Sequence, residues 1–308
     1  MDVEKLCRTD DDIKDAVLAW LKNAEYAEMR HGHISKWDTS SVTDMSSLFE
    51  SISKFNDDIS SWNVSNVTNM SGMFCAASSF NQDVKGWDVS KVTDMSNMFM
   101  YAAVFNQDMS GWNVSNVTNM NHMFQDASSF NQDVSRWDVS NVNYMNHMFR
   151  NAAVFNQDMS GWNVSKVYSM SHMFDSTIFN HDVGEWNVSN VKDMSGMFAK
   201  ATAFNQDISA WNVSKVKDMM GMFRGTSSFN QDVSRWKVSK VKDMMGMFVQ
   251  ATAFNQDISG WNVSRKTDIS CMFQGAIAFI EGVGSNWIVD GEYVFESRQS
   301  ICCFPELF

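Results

Sequence analysis

Apolar residues recur mostly in steps of three along this chain, and the whole arrangement returns every 25 residues. In SSWNVSNVTNMSGMFCAASSF, residues 60–80, and on to Val84, the apolar positions are Trp62, Val64, Val67, Met70, Met73, Phe74, Ala77, Phe80 and Val84. Strict strand alternation would give steps of two, and a long amphipathic helix would mix threes and fours. The tryptophans fix the period: Trp37, Trp62, Trp87, Trp112, Trp137, Trp162, Trp186, Trp211, Trp236 and Trp261. Each step is 25 residues except that from Trp162 to Trp186, which is 24, with the deletion near residues 177–179. A fixed period of this size marks a solenoid, propeller or array. A unit this short cannot bury nine apolar groups alone, whereas stacked units bury them as continuous columns.

Read from its Trp, the unit is W-[DN]-V-S-x-V-x-x-M-x-x-M-F-x-x-A-x-x-F-N-Q-D-[IV]-S-x. Met70, Met73, Phe74 and Ala77 follow i, i+3, i+4, i+7, so 70–77 reads as a short helical turn. The run 83–87 reads as the strand that pairs one rung with the next. The expected architecture is therefore a repeat solenoid of about ten rungs, each a short strand plus a short helical turn, spanning 37–279. Residues 1–36 read as a tail and a capping helix. Thr9 would be its N-cap, and Ile13, Ala16, Val17, Trp20, Leu21 and Ala24 its apolar face. Residues 280–308 read as a C-terminal cap, with Asp290-Gly291 signalling a β-hairpin.

A second column is polar. Asn81, Asn106, Asn131, Asn156, Asn180, Asn205, Asn230 and Asn255 sit in repeated Phe-Asn-x-Asp segments. A stacked Asn ladder can satisfy turn backbone in its own rung and the next, and an unpaired buried polar group costs about 1–3 kcal/mol. The competing reading is a row of cation ligands. Calcium sites want several oxygens from one loop, often with Gly at the turn, and Asn-Gln-Asp lacks the Gly.

The segments 64–74 and 89–99, V-[ST]-x-V-T-[DN]-M-S-x-M-F, resemble the repeat of BspA-like leucine-rich-repeat surface proteins, which includes a bacterial surface-lipoprotein type. The resemblance covers about 37–279 and implies a leucine-rich-repeat-like solenoid with cell-surface attachment or partner binding. Two features depart from the common form. The Leu-x-x-Leu-x-Leu core is replaced by Phe-Asn-x-Asp-[IVM], and the unit is one residue shorter. The family brings no catalytic residues.

Composition narrows the function classes. A formal charge of −12 argues against a general binder of nucleic acid or anionic membrane. No apolar stretch reaches the length of a transmembrane helix. Residues 1–12 lack a basic and apolar leader, which favours an intracellular protein or a trimmed chain, while the resemblance favours the surface or secretion. The 25 methionines fall largely in two columns that read as core. Five scattered cysteines make no disulfide framework; Cys75 and Cys271 read as small apolar groups, and Cys302 and Cys303 as candidates for a bridge.

Two columns carry candidate chemistry. His122, His147 and His172 occupy one position in three successive rungs. Converging imidazoles would bind zinc, nickel or copper, but a straight ladder spreads them along its axis, so a tolerant exposed position or a pH-sensitive patch is also open. Lys192, Lys215, Lys217, Lys237, Lys240 and Lys242 form a basic stripe on an acidic protein, with Arg265 and Lys266 close by. They are candidates for binding an acidic partner, against the reading of a solvated face neutralised by Asp193, Asp218 and Asp243. No nucleophile–base set, phosphate loop or zinc spacing stands outside the repeat. The expected function is a non-enzymatic scaffold without cofactor, binding a protein or glycan along one face. The alternative is a structural or adhesive protein that self-associates.

Overall fold

The computed structural model describes residues 6–281, 288–289 and 292–293. The chain divides into two units, Met1–Asn163 and Val164–Phe308.

The first unit begins with β1 (Cys7–Thr9), α1 (Ile13–Lys22) and α2 (Ala24–His31), followed by β2 (Asp38–Ser41), which pairs in parallel with β1. Ile13, Ala16, Val17 and Trp20 are buried along α1, as their helical spacing predicts. The cap differs from expectation. Thr9 lies in β1, Asp12 precedes the helix, and the Asp12 carboxylate accepts the Thr9 N–H at 2.8 Å. Pairing with β2 has drawn Thr9 out of the capping position. A second helix, which the single apolar face did not foretell, follows at once. Asn23 caps it by accepting the Tyr26 N–H at 3.0 Å, and Ala27 is its one buried residue. It leaves Leu21 half-buried and Ala24 exposed. Gly32 ends α2 at φ 73°, where a Cβ would meet Leu6 Cδ2 at 2.3 Å.

These elements give the first repeat the partners that a preceding repeat would otherwise supply. Thr68 and Thr93 donate their N–H groups to Thr43 and Thr68 carbonyls, one repeat earlier. Thr43 donates instead to the Asp10 carboxylate at 2.8 Å, as does Asp44 at 3.0 Å. Burial opposes ionisation of Asp10, yet these hydrogen bonds and the Thr43 hydroxyl hold its carboxyl below the ordinary value.

Within each repeat the backbone does two jobs alternately. Met45, Ser47, Phe49 and Ser51 donate N–H groups to carbonyls of Asn69, Ser71, Met73 and Cys75 in the next repeat, at 2.7–2.9 Å. Leu48, Glu50 and Ile52 donate instead to the residue three earlier. This alternation requires a left-handed residue twice per repeat: Ser47 and Ser51 at φ 56° and 63°, then Gly72 and Ala76 at 63° and 57°. The expected helix over 70–77 is therefore a run of turns. The three-residue spacing reports turn closure, and the left-handed residues prevent helix propagation.

The expected strand over 83–87 is displaced as well. Here Asp83 accepts the Lys85 N–H at 2.9 Å and Trp87 N–H returns to Val84 O, so side-chain capping and a turn take the backbone groups. Pairing between repeats runs instead through single parallel bridges: Asp44, Asn69, Asp94, Asn119 and Tyr144 in the first unit. In the second unit they join Ser169, Asp193, Asp218, Asp243 and Asp268.

The apolar columns form the core. The column valines, methionines and phenylalanines of each repeat are almost wholly buried, whereas Val104 and Val154, outside the columns, are exposed. Phe74 stacks on Phe80 at 3.8 Å inside its repeat, and on Phe49 and Phe99, each at 5.5 Å, in the neighbours. Trp rings stack likewise, as Trp112 on Trp137 at 6.4 Å. Their Nε1 atoms reach into the preceding repeat, Trp62 to Ile34 O at 2.9 Å and Trp137 to Met109 O at 3.0 Å. Trp87 departs from this, its Nε1 buried without a partner.

In the second unit the shortened repeat loses the turn that other repeats form just before their second Phe, such as that at Ser78-Ser79. Thr177 takes the place of the buried Ala, and its hydroxyl donates to Phe174 O at 2.8 Å. The unit ends in α3 (Ile277–Glu281), then β3 (Ile288–Val289) and β4 (Glu292–Tyr293), which pair antiparallel on either side of Asp290-Gly291. Cys75 is a free thiol pushed up by burial and by Glu50. Cys271 is disulfide-bonded, which corrects its reading as a small apolar group. Cys302 and Cys303 lie outside the described residues.

Candidate partner-binding face

The Asn column is part of the framework. Asn106, Asn131 and Asn156 each donate their N–H to the side-chain oxygen of the Asn one repeat earlier, at 2.9–3.0 Å. Asn81 is bonded in the same way to Asn56 at 2.9 Å. Asn205, Asn230 and Asn255 repeat this in the second unit, starting from Asn180. The following Gln adds its amide, as Gln107 Nε2 does to Asn81 O at 2.8 Å. The Asp of Phe-Asn-x-Asp turns inward on its own loop: Asp58 accepts Ser60 N–H and Asp232 accepts Ser234 N–H. Hydrogen bonds from these serines hold Asp58, Asp133, Asp232 and Asp257 below the ordinary aspartate value.

The histidines occupy the first left-handed position of their repeats, with φ of 58°, 56° and 52° at His122, His147 and His172. Elsewhere Gly, Asn, Ser or Cys stands there, a set fitted to that backbone more than to any ligand. His122 and His147 stack face to face at 4.6 Å. His122 Nδ1 meets Gln125 Oε1 at 2.6 Å, and His172 Nδ1 meets Asp175 Oδ2 at 2.9 Å. Among the described residues no three His, Cys, Asp or Glu side chains are placed to hold a metal ion.

The lysines lie on the second unit, all exposed. Lys192, Lys217 and Lys242 are joined by their backbones, Lys217 donating to Lys192 O and Lys242 to Lys217 O, each at 2.8 Å. Their ammonium groups differ in surroundings. Lys192 Nζ lies 5.2 Å from the centre of the Tyr168 ring. Lys215 Nζ donates to Asn190 Oδ1 at 2.7 Å, and Lys237, directly after Trp236, is exposed. Lys217, Lys240 and Lys242, with Lys266, line a cavity of about 360 Å³.

That cavity was not foreseen, although the sequence carries its signal. Every repeat from Val67 to Val241 places a buried Val three residues before its first Met. The last repeat has Lys266 there. An ammonium group enters a dry apolar column only at a cost of several kcal/mol, so Lys266 stays in water. Thr267 turns inward in its stead, donating its hydroxyl to Val241 O at 2.7 Å. The backbone slips by one residue, and Asp268 rather than Thr267 donates to Lys242 O.

Beside the lysines runs an acidic column, Asp193, Asp218, Asp243 and Asp268, linked by the parallel bridges. Asp218 is pushed above the ordinary value chiefly by burial, against the Met220 N–H that lowers it, with Asp193 and Asp243 adding repulsion.

Alternating backbone bonds, stacked columns and little helix or strand define a tandem-repeat protein. The family model described as "Mycoplasma protein of unknown function, DUF285" matches residues 20–117, 84–182 and 175–287, and the chain belongs to that family. Comparison with curated proteins finds no match. Among the described residues no helix is long and apolar enough to cross a membrane.

Proposed function

We propose that this protein is a non-enzymatic interaction scaffold, a leucine-rich-repeat-like solenoid whose outer positions bind a protein or glycan partner. The observation that carries the reading is the division of labour within the repeat. Trp, Val, Met, Phe, Asn and Asp are committed to the fold and nearly invariant between repeats, whereas exposed positions change freely. Repetition also gives each repeat like groups, while catalysis needs unlike groups converging. In this reading α1 and α2 cap the first repeat and the β3–β4 pair belongs to a C-terminal cap. The likeness to BspA-like proteins supports a place at a cell surface.

The lysines of the second unit are the face we assign to the partner, because an acidic protein attracts an acidic partner only where its positive charge is gathered. The test is capture from the source cells by the intact chain beside a K217Q/K240Q/K242Q variant of unchanged circular dichroism. A partner held by the first and lost by the second is expected; identical capture by both sinks the assignment.

End-to-end self-association is a second reading, favoured by the exposed apolar residues Leu18, Tyr26 and Met29 on the two N-terminal helices. Sedimentation velocity over a hundredfold range of concentration separates the two. A mass that stays monomeric removes the second.

A further inference from the structure

We infer that the cavity at the end of the buried valine column binds one compact tetrahedral anion, the phosphate or sulfate group of a monoester. This deepens the scaffold reading and rests on it only for biological meaning; the site stands on its own geometry.

Three observations combine. Lys217, Lys240, Lys242 and Lys266 line the cavity, and no carboxylate does. Ser239, Val241, Ser264 and Thr267 complete the lining, most of whose exposed surface is apolar. The space is made by the local break in the column: Lys266 replaces the Val found in the preceding repeats, and Thr267 is pinned inward on Val241 O. A lysine is a point charge with three donors, suited to oxygens of a tetrahedral anion arriving from several directions.

The surroundings select a compact anion over an extended one. Asp218, Asp243 and Asp268 run beside the lysines, and the whole chain carries −12. A long polyanion or a flat anionic membrane would meet these carboxylates, whereas a single group entering the cavity does not. The volume, about 360 Å³, exceeds a bare tetrahedral anion and leaves room for part of the body that carries it.

The experiment is calorimetric titration of the intact chain at low salt with inorganic phosphate, glucose 6-phosphate and glucose 6-sulfate, and vesicle co-sedimentation with phosphatidylglycerol. The decisive variant is Lys266→Val, which restores the column and removes a cation, so that loss of binding is not loss of fold; Lys91→Gln, in the first unit, is the control. Expected are saturable binding of a monoester by the intact chain and the control, and binding about tenfold weaker or absent in Lys266→Val. Inorganic phosphate binding equally well assigns the free ion as the source; a preference for the sugar esters assigns a decorated glycan. Binding to vesicles alone, no binding by the intact chain, or an unchanged affinity in Lys266→Val overturns the proposal. The scaffold reading fails separately, by identical capture in the triple-lysine experiment.

Discussion

The position after the second buried valine of each repeat is Thr43, Thr68, Thr93 and Thr118 and then Asn143 in the first unit, and Tyr168 followed by Lys192, Lys217 and Lys242 in the second. Thr68, Thr93 and Thr118 donate hydroxyls to the carbonyl of the Thr one repeat earlier at 3.2–3.3 Å, closing their polar groups on the framework. Lys217 and Lys242 keep theirs at the exposed surface, and Lys192 Nζ lies over the Tyr168 ring. Yet the backbone bond beneath is the same, 2.8–2.9 Å in both sets. Surface chemistry in this molecule is thus decoupled from the bonds that hold repeats together. One unit shows a quiet, self-satisfied face where the other shows a charged one, at no cost to the ladder.

The comparison breaks first in the core, where the two units should respond alike. Phe124→Ala and Phe223→Ala each remove a ring stacked within and between repeats, and each should cost about 3–5 kcal/mol by chemical denaturation. A large difference between them would mean that the units are not built on one plan.

Gly196→Ala should cost less and act only in the second unit. Its φ is 57°, and an added Cβ would lie 2.3 Å from the His172 ring. The backbone alone costs about 1–2 kcal/mol, and pairing the change with His172→Ala should recover the steric part. If the double variant is no better than the single, the ring is not the obstacle.

Acid should affect both units. Asp58, Asp88, Asp133, Asp207, Asp232 and Asp257 are held below 3.8 by their serine hydrogen bonds. Their folded values are depressed, so their contribution is present above the unfolded value and disappears as pH falls through the folded values. Stability measured from pH 6 to pH 2 should drop progressively below about pH 4. Asp218 runs the other way: its raised value favours the protonated folded form, so its charge opposes folding above 3.8. Asp218→Asn keeps an acceptor for Met220 N–H and should stabilise slightly, by about 0.5 kcal/mol or less, at neutral pH and not at pH 3.

Smallest of all should be the exchange of faces. Thr68→Lys and Lys217→Thr are each expected to change stability by less than about 0.5 kcal/mol. A larger loss in Thr68→Lys would show that the threonine hydroxyls matter to the ladder.

The columns were legible because burial acts on side chains one by one: each Trp, Val, Met and Phe that the period placed inside is inside. The backbone was harder to read. Threes arise equally from a helix and from successive turns, and only the left-handed angles at positions such as Ser47 and Ala76 separate them. Those angles were hinted at by Gly, Asn and His sharing a column, but Tyr101, Lys200 and Gln250 also adopt them, at φ 54–59°. Asp83 and its equivalents hid the true line of pairing by capping turns where a strand was expected. The lysine stripe was visible as composition, whereas its cavity depended on one missing valine.

Bonds that join each repeat only to its neighbours have an evolutionary consequence. Copy number is free to drift by recombination in whole modules of 25 residues, with neither the core nor the termini redesigned. The one 24-residue module shows that even an imperfect exchange is absorbed in a surface turn. Related genes are therefore expected to differ in length by multiples of one module, a polymorphism that sequencing of natural variants would reveal.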